Sequence, residues 1–139
     1  MSLVDYSNME KEIADAPEAM VLPRGTEVKF RIIDMMTGES DKNGATWYMP
    51  VFDVPAEPLV IEFKDFFWDL ADLDKLSEKQ AARTLRKFRL FATAIDLDYA
   101  TPFSWVDDLI GMEGWAILGV KKDDEYGDSN SISKYVAMK

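Results

Sequence analysis

Twenty-six carboxylates against 16 basic side chains, with no histidine and no cysteine, bound the chemistry open to this chain. Without histidine the usual general base and the commonest metal ligand are missing. Without cysteine there is no thiol nucleophile, thiolate zinc site or disulfide. Acid–base or metal work would fall on Asp and Glu, and two groups of these have suggestive spacing. Asp96 and Asp98 form an Asp-x-Asp pair of the kind used in phosphoryl transfer, but they follow a helical pattern where that chemistry needs a buried strand. Asp123, Asp124, Glu125 and Asp128 offer hard oxygen ligands, yet the calcium-loop order of alternate acids, a glycine and a distal Glu is absent. Gly111, Gly114 and Gly119 are spaced wrongly for a dinucleotide-binding turn, and the serines have no histidine to activate them. These residues predict no catalysis, no bound metal and no cofactor.

Binding a single nucleic-acid strand demands less: aromatic faces for the bases and cations along the phosphates. Lys29 and Arg31 alternate with Val28, Phe30 and Ile32, so they share the polar face of an extended strand. Trp47, Tyr48 and Phe52 lie in a run that is apolar on both alternating faces, which leaves some of them outside a one-sided core. Lys42 sits in the turn-rich stretch after the first strand, and Lys121, Lys122 and Tyr126 in a second polar stretch. Tyr135 is expected on the face opposite Ile132, Val136 and Met138, and so exposed. The densest basic cluster is Arg83, Arg86, Lys87 and Arg89, with no acid anywhere in 81–95. The helix that carries it is expected to close one end of the fold and show these charges to solvent. Phe66, Phe67 and Trp68 are expected to cap the core beneath that helix.

A net charge of −10 opposes a polyanion only if it is spread evenly. It is not: 1–20, 57–80 and 96–110 carry −4 each, whereas 81–95 carries +4. No apolar run approaches the roughly 18 residues that span a bilayer, and the acidic start lacks the basic, apolar pattern of a signal peptide. A cytoplasmic protein is expected.

The elements that must position these side chains follow from periodicity. Residues 26–36 alternate as a first strand, 37–44 form a loop, and 45–54 form a second strand in which Pro50 implies a bulge or an edge. Residues 59–67 supply a third, with Leu59, Ile61 and Phe63 facing one way. Ser77 and Gln80 have capping-box spacing, and Ala81, Leu85, Phe88, Ala92 and Ile95 then recur at helical intervals. A short turn over 104–109 leads to a fourth strand, 111–120, and a polar hairpin loop to a fifth, 131–138. Pro17 and weak periodicity speak against a helix over 9–20. This order predicts an all-β fold, a five-stranded OB-fold barrel with one helix between strands three and four. An open α+β sheet of ferredoxin-like order competes, but it wants a second helix. Residues 1–22 read as an acidic lead-in and 23–139 as one domain.

Four segments carry a resemblance. LPRGTEVKFRIID is similar to the opening strand, and ESDKNG to the following loop, of small phage-encoded OB-fold proteins that bind single-stranded DNA beside recombination or replication functions. FSWVDDLIGMEGWAILGV resembles that family's entry to strand four, and DEYGDSNSISKYV its closing hairpin, so the resemblance covers 22–136. Glu27 stands where the family pattern has Tyr. The acidic C-terminal tail of many single-strand binders is missing, which leaves recruitment to the N-terminal Asp and Glu residues. The resemblance implies non-catalytic, largely sequence-independent binding of single-stranded DNA in phage replication or recombination, within the bacterial cytoplasm. It places Lys29, Arg31, Lys42, Lys121, Lys122, Tyr126 and Tyr135 around the groove. Implied partners are the DNA, replication or recombination proteins of phage or host, and further copies of the chain, with no membrane. Charge alone supports a different reading, an acidic protein-interaction module or DNA mimic.

Overall fold

The computed structural model describes residues 2–137. Its elements are α1 (Glu10–Ala14), β1 (Glu27–Glu39), β2 (Thr46–Asp53), β3 (Phe63–Lys64), β4 (Phe67–Trp68), α2 (Glu78–Ala94), α3 (Trp105–Asp108), β5 (Glu113–Lys121) and β6 (Ser129–Val136). The strands form one antiparallel sheet in the order β3-β2-β1-β5-β6, with β4 also on β2. The chain is therefore mostly β rather than all-β, and six strands stand where five were expected.

β1 buries Val28, Phe30 and Ile32 and exposes Lys29 and Arg31, as its alternation requires. Its register then jumps between Ile32 and Asp34, so Ile33 is an extra residue and the strand bends there. Residues 27–31 pair with β5, and Arg31, Ile32 and 34–39 pair with β2, so the two ladders overlap only at Arg31. β1 also runs on to Glu39, leaving a turn over 40–45 closed by the Ser40 N–H on the Ala45 carbonyl at 2.9 Å.

Pro50 lies neither at an edge nor in a bulge of its own strand; it shapes the neighbour. Its carbonyl accepts the Asp65 N–H at 3.2 Å, so its missing N–H faces the same side. On that side the third strand breaks into β3 and β4, with Asp65 and Phe66 between them. Leu59 and Ile61, expected to face the same way as Phe63, are exposed, whereas Phe63 and Val60 are buried. The cause is a short bridge in which Met20 bonds the backbones of Leu59 and Ile61 at 2.7 and 2.9 Å.

Both halves of the Ser77–Gln80 capping box start α2, which buries Thr84, Phe88, Phe91, Ala92 and Ala94. Leu85, expected in that stripe, is 49% exposed, because the buried arc centres on positions 84, 88 and 91. The helix ends with the Leu97 N–H on Ala92 O at 2.9 Å and the Asp96 N–H on Thr93 O at 3.3 Å. Asp96 takes φ 56°, the left-handed seat of a Schellman ending. Asp96 is thus a helix stop, and Asp98 accepts from the Ala100 N–H and the Thr101 hydroxyl. β5 crosses close beneath: a Cβ on Gly114 would come within 2.7 Å of Ala94 O.

Residues 2–19 are exposed. Within them a 3-10 turn, Ser7–Met9, runs into the single turn of α1, a helix where none was expected, which ends before Pro17. The lead-in is tied down from Met20 onward, and Leu22 is buried with its backbone N–H and C=O both bonded by the Asn130 side chain at 2.9 Å.

The core is aromatic: Phe30 meets Phe52 at 4.8 Å and Phe67 meets Phe91 at 4.7 Å. Beside it, the Tyr135 hydroxyl donates to Asp65 Oδ2 at 2.5 Å, and Asp65 Oδ1 lies 2.6 Å from Lys87 Nζ. These bonds join β6, the β3–β4 break and α2. Among the described residues no backbone ladder links β6 to β3 or β4. None of the described helices is long and apolar enough to cross a membrane.

Burial first, and then the Asp65 charge, push the Tyr135 phenol well above its ordinary value of 10.0. The unfolded chain therefore loses this proton before the folded one, so the contribution to stability is full below that ordinary value and falls as pH rises beyond it. Tyr135→Phe should flatten the alkaline decline and lower stability at neutral pH by about 1.5 to 3 kcal/mol, as for a hydrogen bond to a charged group. Urea denaturation in neutral and alkaline buffers measures both effects.

Candidate nucleic-acid interface

Strand register sorts the aromatics into two faces. Thr37, Tyr48 and Phe67 share the inner face, whereas Gly38, Trp47 and Trp68 form a row on the outer one, with Met36 and Met49 in the next row. Three consecutive aromatics cannot all point the same way from extended backbone, so of Phe66, Phe67 and Trp68 only Phe67 enters the core. Phe66, displaced at the break opposite Pro50, fills the space between the two tryptophans. It stacks on Trp47 at 5.9 Å and meets Trp68 edge-on at 4.9 Å. All three rings are half-buried.

Local bonds hold this platform. The Thr46 N–H donates to Asp72 Oδ2 at 2.8 Å, and Thr46 O accepts the Asp69 N–H at 2.9 Å, which locks the start of β2 to the turn after β4. Lys75 adds a bond to Gly44 O at 3.3 Å and an ion pair with Asp72 at 3.4 Å. Trp47 lies flat against β1 because Gly38 has no side chain; a Cβ there would come within 2.5 Å of the indole.

α2 does not point away from this surface. Gln80, Arg83 and Lys87 line a hollow of about 260 Å³ together with Phe66 and Trp68. Lys87 is committed to Asp65, bonds Phe66 O and sits 4.7 Å over the Phe67 ring. Arg83 has no ion-pair partner among the described residues. Phe66, Trp68 and Arg83 therefore join Trp47 in the site, and the alternation of 66–68 is the signal that separates them from Phe67.

The other predicted residues scatter. Lys29 is exposed on the outer face opposite Trp115, an exposed tryptophan that the sequence reading passed over. Arg31 is paired to Asp53 at 2.9 Å, with Glu113 opposite it across β5. Lys42 is exposed in the β1–β2 turn. Lys121, Lys122 and Tyr126 are exposed around the β5–β6 turn, where Lys122 pairs with Asp128 at 3.5 Å and Asp123 Oδ1 caps the Glu125 and Tyr126 N–H groups. Because Glu27 pairs with Ile117, that turn and Lys42 lie beyond opposite ends of β1 and form no single cluster.

Three aromatics are not presented to a base on the outer face. Phe52 is 0% exposed within the core. Tyr48 points inward, stacks on Trp105 at 4.7 Å and directs its hydroxyl to Asp69 Oδ2 at 3.3 Å; burial, then that carboxylate, raise its pKa. Tyr135 is only 6% exposed. The β5–β6 register jumps so that Ser133 is the extra residue, which turns Ile132 and Tyr135 to the same inner face, opposite Leu118 and Ala116. Met138 lies outside the described residues.

Gly38→Val should push the Trp47 indole off β1, shift the tryptophan emission and cost about 1 to 3 kcal/mol in urea denaturation, the range for overpacking. Unchanged emission would place Trp47 elsewhere.

No protein-family model matches the sequence, and comparison with curated proteins finds no match.

Proposed function

We propose that the protein is a non-catalytic binder of single-stranded DNA, largely indifferent to sequence, with bases stacking on Trp47, Phe66 and Trp68 and phosphates tracking past Arg83. The observation that carries this reading is three half-exposed rings, Phe66 in contact with both Trp47 and Trp68, beside Arg83, which has no ion-pair partner among the described residues. Stacking on aromatic faces is tolerant of sequence because every base has a π-face, and the cations need only follow the backbone. The bulk charge of −10 does not oppose it, since a local positive surface within an anionic molecule decides whether a polyanion is drawn in.

The strand order supports an OB-like reading of the same surface. If the broken pair β3 and β4 counts as one third strand, the order third-second-first-fourth-fifth with a helix before the fourth is that of an OB-fold. In that fold oligonucleotides lie across the face of strands two and three, where the platform stands. On this reading the Tyr135–Asp65–Lys87 bonds stand in for the missing ladder between the third and fifth strands. The resemblance of four sequence segments to phage single-strand binders supports a role in replication or recombination.

Titration with oligo-dT should quench the fluorescence of Trp47 and Trp68, more strongly at low salt than at high. Trp68→Ala should cost about 1 to 3 kcal/mol of binding, and Arg83→Ala should flatten the log–log salt slope by about 0.7. A chain that neither quenches nor binds at low salt would return the reading to an anionic protein-interaction surface.

A further inference from the structure

The N-terminal segment and a groove on the far side of α2 from the platform have complementary chemistry. The turn Ser7–Met9 and α1 bury no residue. A helix this short is marginal in water without something to pack on. The segment's apolar residues Tyr6 and Met9, ahead of α1, and Ile13 within it are 60%, 47% and 56% exposed. Met9, at φ −114° and ψ 9°, separates the turn from α1, but the spacing i, i+3 and i+7 brings the three onto one side once the segment is helical throughout, the form in which an amphipathic helix anchors in a groove. Asp5, Glu10, Glu12 and Asp15 surround them, and 1–20 carries −4.

The groove lies between α2 and the chain before α3. It has a volume of about 860 Å³, and its lining includes Tyr48, Tyr99, Phe103 and Trp105 together with Arg86 and Arg89. Neither arginine has an ion-pair partner among the described residues. The lining's acid, Asp69, is already engaged by the Ala71 N–H and the Tyr48 hydroxyl. The groove therefore combines an aromatic trough with two free cations, the counterpart of an apolar stripe flanked by carboxylates.

We propose that this groove receives the N-terminal segment of a second copy of the chain, with Tyr6, Met9 and Ile13 in the trough and the flanking acids on Arg86 and Arg89. A second copy fits because within one chain the segment departs from Met20, which is fixed to Leu59 and Ile61, and is exposed along its whole described length. Reciprocal exchange of the two segments covers both grooves and closes a two-fold dimer. The proposal stands apart from DNA binding and involves neither Arg83 nor the platform.

Sedimentation equilibrium of the full-length chain tests it with an arm variant, Met9→Asp with Ile13→Asp, and a groove variant, Arg86→Glu with Arg89→Glu. All four positions are solvent-exposed, and circular dichroism confirms that each variant folds. The wild type should shift from monomer to dimer mass as concentration rises, and each variant alone should self-associate at least about tenfold more weakly. An equimolar mixture of the two variants should recover dimer, because one supplies an intact groove and the other an intact segment. A wild type that stays monomeric, variants that dimerise as well as wild type, or a mixture that stays monomeric would overturn the proposal; the last is the result expected if each segment folds into its own groove.

Discussion

Asp65 holds together parts of the chain that no backbone ladder joins among the described residues. It sits in the two-residue gap between β3 and β4, accepts from Tyr135 on β6 with one oxygen and pairs with Lys87 of α2 through the other. The carboxylate is shielded, so losing a partner would leave a poorly solvated charge facing the core, a costlier outcome than losing an exposed ion pair. Lys87 in turn bonds Phe66 O and covers the Phe67 ring, so the same group that gathers the two ends of the sheet also seats the backbone carrying the platform. The approach of β6 to the β3–β4 break, the helix position and the seating of Phe66 rest on one set of contacts.

Much of this architecture is legible from periodicity, and the failures have identifiable causes. The inner and outer residues of the first half of β1, the capping box of α2 and the place of that helix ahead of the last two strands follow from alternation and from Ser77 and Gln80. Alternation counts residues, however, and it fails wherever the chain inserts one. Ser133 in β6 is such an insertion, and it carries Tyr135 from an expected stacking position into the core. Pro50 is visible as an irregularity, but that it would split the adjacent strand depends on which side its carbonyl faces, a fact of pairing rather than of local sequence. The candidate site was half legible: Trp47 stands out by type and position, whereas Phe66 and Trp68 become part of it only because the split strand turns them outward beside Arg83.

Charge follows the same logic. The acid-free stretch of α2 is plain in the sequence, but its four cations serve different surroundings. Lys87 is consumed by Asp65, Arg83 borders the platform, and Arg86 and Arg89 border the aromatic groove. A stripe that reads as one solvated face is divided, by the residues' angular positions around the helix, between two surfaces of different chemistry.

The split at Pro50 has another effect. A sheet whose ladder is left open offers its outermost backbone groups to any foreign strand, and long flat borders invite runaway association. Here one border consists of two-residue pieces separated by a kink, too short to template a neighbour, and the other is offset by the insertion at Ser133 and carries the charge of Lys134. The same imino acid that swings Phe66 outward thus also helps to keep the molecule from polymerising through its own hydrogen bonds.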